Sequence, residues 1–371
     1  MRRSTGLFFS VFFSFVGLIA GTAGSAFVRS GGGCLHAQSQ VGVVPSSEAT
    51  SAAARGNGRE PWLIAYDAPS RRLIFERAGT KGIERGGVRH VAWDLAIEEL
   101  NPKLAESGRV PVTAIRAIIE KSRPPAFPAG GPEPGGKAAL ASTQGTGGEP
   151  WAFLFDATTD RLAAYRGGEA GIEIKGVRQI TWDLMIEELD PRGTKAPTLI
   201  EVRQAMERQG RKPEVQGSPD RPREVLLAAA RGTSGDPWAI LYDVSTRRLA
   251  AYRGTNRGID LEGLREVRWD LRLDSLDPAL VARKLRVAEA RALVEKKASA
   301  GPEAAKEAEP GTIRLAVTQA TADEPAAVLH AAASHKIVTY RVSSQGLELR
   351  GVRSISGDID KEELGRATQG L

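Results

Sequence analysis

Six tryptophans are the residues of this chain whose type and placement most suggest chemistry at a surface. Trp62, Trp151 and Trp238 each follow a proline at the head of an apolar run, in PWLIAYD, PWAFLFD and PWAILYD. Exposed there, they would form a row of stacking platforms for sugar rings, because an indole offers a flat apolar face with a polar edge. Buried there, they are core. Trp62, Trp151 and Trp238 are therefore the candidate binding residues, with an envelope polysaccharide as the ligand they would suit. Trp93, Trp182 and Trp269 alternate in phase with apolar neighbours and are expected in the core.

The ionisable residues point away from catalysis. Asp67, Asp156 and Asp243 close an apolar run just before a turn, where an aspartate satisfies turn amides. The clusters Asp94–Glu98–Glu99 and Asp183–Glu187–Glu188 have the paired carboxylates of glycoside hydrolysis or of a calcium site. In the third copy Asp274–Ser275 stands in place of the glutamate pair, and residues that recur with a fold usually serve the fold. Arg89, Arg178, Arg265 and Arg353 recur as well and read as paired or stacked structural arginines. The turn aspartates are one possible partner, although copy four keeps Arg353 beside Ala331. His90, His330 and His335 are isolated, and no GxSxG, HExxH, P-loop or GxGxxG falls between a strand and a helix. The single cysteine, Cys34, excludes an internal disulfide and a cysteine-based metal cluster. The expectation is no catalytic residue, no metal and no cofactor.

An internal repeat accounts for these recurrences. The first tryptophans lie 89 and 87 residues apart, the second tryptophans show the same two spacings, and the two are 31 apart within each copy. A fourth copy, Pro325–Leu364, keeps Tyr340, Gly346, Gly351, Arg353 and Asp358 but has Ala326 and Gly357 in place of the tryptophans. Terminal units of arrays are often atypical because one side meets water.

Each copy reads as a meander followed by a helix. WAILYD and RLAAYR form a hairpin through Val244–Arg247, preceded by a further strand, Val225–Arg231. Copy one has only Ala52–Arg55 for that strand. Period-two alternation then predicts one long strand over Ile259–Leu273, with a bulge at Gly263, where glycine recurs in every copy. VTAIRAIIEK, LIEVRQAMER and VAEARALVEK have the three-to-four spacing of amphipathic helices, and copy four stops before this helix. The fold expected is mainly β (α+β), four tandem repeats at 52–121, 137–208, 223–296 and 312–367. Linkers fall at 38–51, 122–136, 209–222 and 297–311. Tandem modules are favoured; a four-bladed propeller-like ring is the alternative.

Blocks of the form YD…RL..YR…GI…GVR…WDL resemble repeats of uncharacterised exported bacterial proteins over residues 59–367. The resemblance implies a secreted repeat protein and no known activity. The DxxxxRL hairpin is also similar to a propeller-blade hairpin.

The leader agrees with export. Arg2 and Arg3 precede an apolar segment, Leu7–Ile19, and the small residues Ala20–Ala26, the layout of a signal peptide within residues 1–37. If uncleaved, residues 7–28 are long enough to anchor the chain in a membrane. Half of the +6 net charge belongs to this leader, which leaves little basis for a nucleic-acid partner. The function expected is that of an exported non-enzymatic scaffold for an unknown protein or envelope polysaccharide. A carbohydrate or cell-wall binding array is the alternative. Membrane contact is expected only through the leader.

Overall fold

Apolar runs punctuated by four-residue turns fold into four antiparallel meanders. The computed structural model describes residues 49–356, apart from 56–59, 81, 107–109, 123–136, 170, 190–195, 213–222, 233, 300–311, 320–323 and 344. The leader, Cys34 and most of the expected linkers lie outside the described residues. Sheet 1 comprises β1 (Ala49–Arg55), β2 (Pro61–Asp67), β3 (Arg72–Gly79) and β4 (Gly82–His90). Sheet 2 comprises β5 (Ala138–Gln144), β6 (Pro150–Asp156), β7 (Arg161–Gly168) and β8 (Gly171–Gln179). Sheet 3 comprises β9 (Val225–Arg231), β10 (Pro237–Asp243), β11 (Arg248–Thr255) and β12 (Gly258–Glu266). Sheet 4 comprises β13 (Ile313–Gln319), β14 (Pro325–Ala331), β15 (Lys336–Ser343) and β16 (Gly346–Ser354). Strand order follows chain order in all four. The first strand of copy one begins at Ala49, inside the segment expected to be linker.

The register slips at one equivalent place in every sheet, between Phe75/Glu76, Ala164/Tyr165, Ala251/Tyr252 and Thr339/Tyr340. This is the expected bulge, and it lies opposite the recurring glycine. The strand expected to continue to Leu273 instead stops at Glu266. Trp269 has helical backbone angles (φ −75°, ψ −37°), and Asp270–Arg272 form one 3-10 turn. Sequence parity therefore no longer tracks sheet face beyond Glu266, and the same break follows β4 and β8.

Two one-turn helices, α1 (Pro102–Glu106) and α4 (Pro278–Ala282), follow the Asn–Pro and Asp–Pro steps of copies one and three. The expected amphipathic helices are α2 (Val112–Ser122), α3 (Leu199–Arg208) and α5 (Val287–Ala298). Thr198 and Glu201 cap α3 reciprocally, which satisfies two amides that no helical carbonyl reaches. Ile115 and Ile119, Val202 and Met206, and Ala290 and Val294 turn each helix inward.

The sheets are not independent beads. Each main apolar cluster is built by two consecutive sheets: 1 with 2, 2 with 3, and 3 with 4. Along one side β1, β5, β9 and β13 run next to one another. Alanine-rich sequences such as AALASTQ and VLLAAAR permit that approach. Every residue of β6 and β10 is buried, whereas β2 and β14 alternate buried with half-buried residues. Meander-on-meander packing, which the ring alternative requires, is thus present at three joints. Among the described residues sheets 4 and 1 share no such cluster, and the outer face of each remains partly open to water.

Candidate functional site

The joints between sheets collect one set of recurring polar residues. Arg178 donates from Nε to Asp183 Oδ2 (2.7 Å) and from Nη2 to Oδ1 (2.8 Å). Arg89 and Arg265 hold Asp94 and Asp270 in the same two-point geometry. All six of these groups are buried. The partner of the recurring arginine is therefore the aspartate five residues on, not the turn aspartate. The 3-10 turn after the strand bends that carboxylate back to the guanidinium. Burial works against the Arg178 charge, but Asp183 outweighs it and holds the guanidinium above its ordinary value.

A tyrosine from the next copy completes each joint. Tyr252 donates to Asp183 (3.2 Å) and Tyr340 to Asp270 (2.9 Å); Tyr165 sits at the equivalent place beside Asp94. Burial, with the aspartate second, pushes all three phenols well above their ordinary value. A cation from the head of the third strand then reaches back to the 3-10 turn: Arg161 donates to Leu95 O (2.8 Å), Arg248 to Leu184 O, and Lys336 to Leu273 O (2.9 Å).

Each joint also adds a β-bridge at the sheet edge. Residues 97–100 lie along the free edge of β8, with Leu100 N–H donating to Val177 O (3.2 Å) and Gln179 N–H to Glu98 O (2.9 Å). Leu189 and Leu264, and Glu266 and Glu187, repeat this at the second joint, and Ser275 bridges Arg353 at the third. The acidic clusters read earlier as possible carboxylate pairs are this edge segment. Asp94 is in the joint, and Glu98 receives Arg203 of the next copy (2.6 Å). Among the described residues no group of three or more acids, histidines or cysteines could hold a metal.

The candidate binding tryptophans are placed in the seams. Trp62, Trp151 and Trp238 are 8%, 2% and 5% exposed, each within a cluster that faces the following sheet. They do not form a row of exposed platforms, because the next sheet covers the face that a sugar would need. Trp62 borders a small cleft, of about 230 Å³, beside Arg77 and Arg85. Trp93 and Trp269, expected in the core, are only partly buried. A helix arginine stacks on each second tryptophan: Arg116 on Trp93, Arg203 on Trp182 and Arg291 on Trp269, at 5.2–5.3 Å. Such contacts stabilise by about 0.5–1 kcal/mol at partly exposed sites.

The turn aspartates cap their turns as expected. Asp156 accepts from the Thr158 amide (2.9 Å), and Asp243 from the Ser245 amide (3.0 Å). Asp243 also shares the buried Arg223 with Asp160 of the preceding copy. No local pattern marks Arg223. The joint tyrosine does carry a sequence signal, since it recurs in copies two to four and is Glu76 in copy one.

A polar cleft of about 420 Å³ opens where copies two, three and four meet, lined by Glu188, Arg265, Arg283, Lys284, Arg286 and Glu348. Burial raises the Glu188 carboxyl and Arg265 opposes this. Glu188 accepts from Arg265 (3.1 Å) and from the Val287 amide (3.2 Å), and Glu348 pairs with Lys284 (2.5 Å). With these carboxylates already paired, the cleft has the character of a structural ion network more than of a proton-transfer site.

No family model matches the chain, and no curated protein matches it. A solved structure of a protein from Lactobacillus plantarum is similar at 8% identity and a TM-score of 0.34. The match covers 79% of this chain and 54% of that one, so the chain spans about half the length of that protein.

Proposed function

We propose that this is an exported, non-enzymatic repeat protein that acts as an interaction or envelope scaffold. The observation that carries the reading is the engagement of the recurring polar residues with one another. Arg178, Asp183 and Tyr252, and their counterparts, join one sheet to the next. An enzyme needs at least one acid, base or nucleophile left free to meet a substrate. Export rests on the leader and on the resemblance of the repeats to those of exported bacterial proteins. The partner is an unknown protein or an envelope polysaccharide.

Two measurements test this. Residues 1–37 fused to alkaline phosphatase should give activity only outside the cytoplasm; activity-free fusions retained inside would contradict export. Residues 38–371, assayed against hydrolase and transferase substrates, should show no turnover. Turnover abolished by Glu188→Gln or His90→Ala would overturn the non-enzymatic reading.

A further inference from the structure

In sheets 2, 3 and 4 the edge of the fourth strand is covered by a segment of the preceding copy: residues 97–100, 186–189 and 273–276. In sheet 1 no segment is bridged to β4 among the described residues. The consequence is visible in exposure. Val88 is 44% exposed, against 2% for Val177, 1% for Leu264 and 9% for Val352 at the same position. Ile83 is 59% exposed, against 5% for Ile172 and 6% for Ile259. An uncovered edge with apolar side chains is a template for strand addition.

The sequence also holds a fourth counterpart of the covering segment. WDLAIEEL and WDLMIEEL of copies one and two become GDIDKEEL in copy four, where Asp358, Glu362, Glu363 and Leu364 persist. The lost tryptophan is the one that stacks against a helix arginine of its own copy; the retained residues are those that address the next sheet. We propose that residues 357–364 of one copy add as a strand to the β4 edge of sheet 1 in a second copy.

The end faces favour a second copy over closure within the chain, since among the described residues sheets 4 and 1 share no apolar cluster. They also make the contact reversible. The cross-strand pair that meets the preceding aspartate is Tyr165–Ile174, Tyr252–Leu261 and Tyr340–Leu349 in sheets 2 to 4, but Glu76–Arg85 in sheet 1. Arg85 offers Asp358 a cation, whereas Glu76 repels it and keeps the face soluble when open. The joint is head-to-tail, so it yields chains of copies rather than a closed pair. It stands apart from the scaffold reading, which a monomer would also satisfy.

Sedimentation velocity on residues 38–371 tests this from about 1 μM to about 200 μM, the range in which a joint of micromolar strength becomes visible. Self-association is expected, and it should vanish in Val88→Lys and in a chain that ends at Ser356. Mixing these two monomeric variants should restore a one-to-one complex, because one retains the tail and the other the edge. A wild-type chain that stays monomeric, whether its tail is free or folded onto its own sheet 1, overturns the proposal. So does association that survives loss of the tail.

Discussion

The Tyr340 hydroxyl donates a 2.9 Å hydrogen bond to Asp270, a carboxylate already held at two points by Arg265 of its own copy. This bond crosses from the third copy to the fourth, so one buried aspartate serves both its own strand and its neighbour's. Removing one member should have unequal effects. Tyr340→Phe deletes a single bond to a charged acceptor and should cost about 1.5–3 kcal/mol. Asp270→Ala strands a buried guanidinium and should cost about 3–5 kcal/mol. Urea unfolding of both variants checks the order; an Asp270→Ala cost below that of Tyr340→Phe would refute the joint as described.

The bulge glycines should differ by position. A Cβ at Gly263 would lie 2.8 Å from Leu347 N and 3.0 Å from Gly346 C, backbone atoms of the next copy. At Gly351 it would meet only the Thr339 hydroxyl, at 3.0 Å. Gly263→Ala should therefore destabilise by about 1–3 kcal/mol, the usual cost of overpacking. Gly351→Ala should cost less, since a side chain can rotate away. Thermal melts of the pair decide it, and equal losses would mean that the glycine serves only its own strand.

Much of this architecture was legible in the chain. The repeat period, the hairpins, the bulge and the turn aspartates are local patterns, and each appears where expected. What was not legible depends on partners far along the chain: Tyr252 and Asp183 are 69 residues apart, and Arg223 and Asp160 are 63 apart. Alternation through Trp269 imitated a strand because a single 3-10 turn leaves the apolar–polar pattern of the sequence undisturbed. The same reading expected Trp93 and Trp269 in the core, where they are only partly buried beneath a helix arginine. The charged linkers suggested beads, yet a linker only sets reach; whether the sheets touch is decided by their faces.

Alkaline pH should unfold the protein. All five tyrosines are buried, and burial pushes Tyr66 up to about 12 and raises the other four phenols as well. A phenol raised on folding contributes stability that is complete below the unfolded value near 10 and is lost as pH rises through the folded one. Tyrosinate absorbance should stay flat through pH 10 and then rise together with loss of near-ultraviolet dichroism. Gradual ionisation near pH 10 in the folded state would contradict the burial.

The account rests on consecutive sheets completing one another. Residues 137–208, the second copy alone, would lose both neighbours, so both faces of β6 and the Asp183 carboxylate would be laid open to water. Circular dichroism of this fragment across a thermal ramp is the most direct test. The account predicts no cooperative melt; a sharp transition with native near-ultraviolet signal would contradict it.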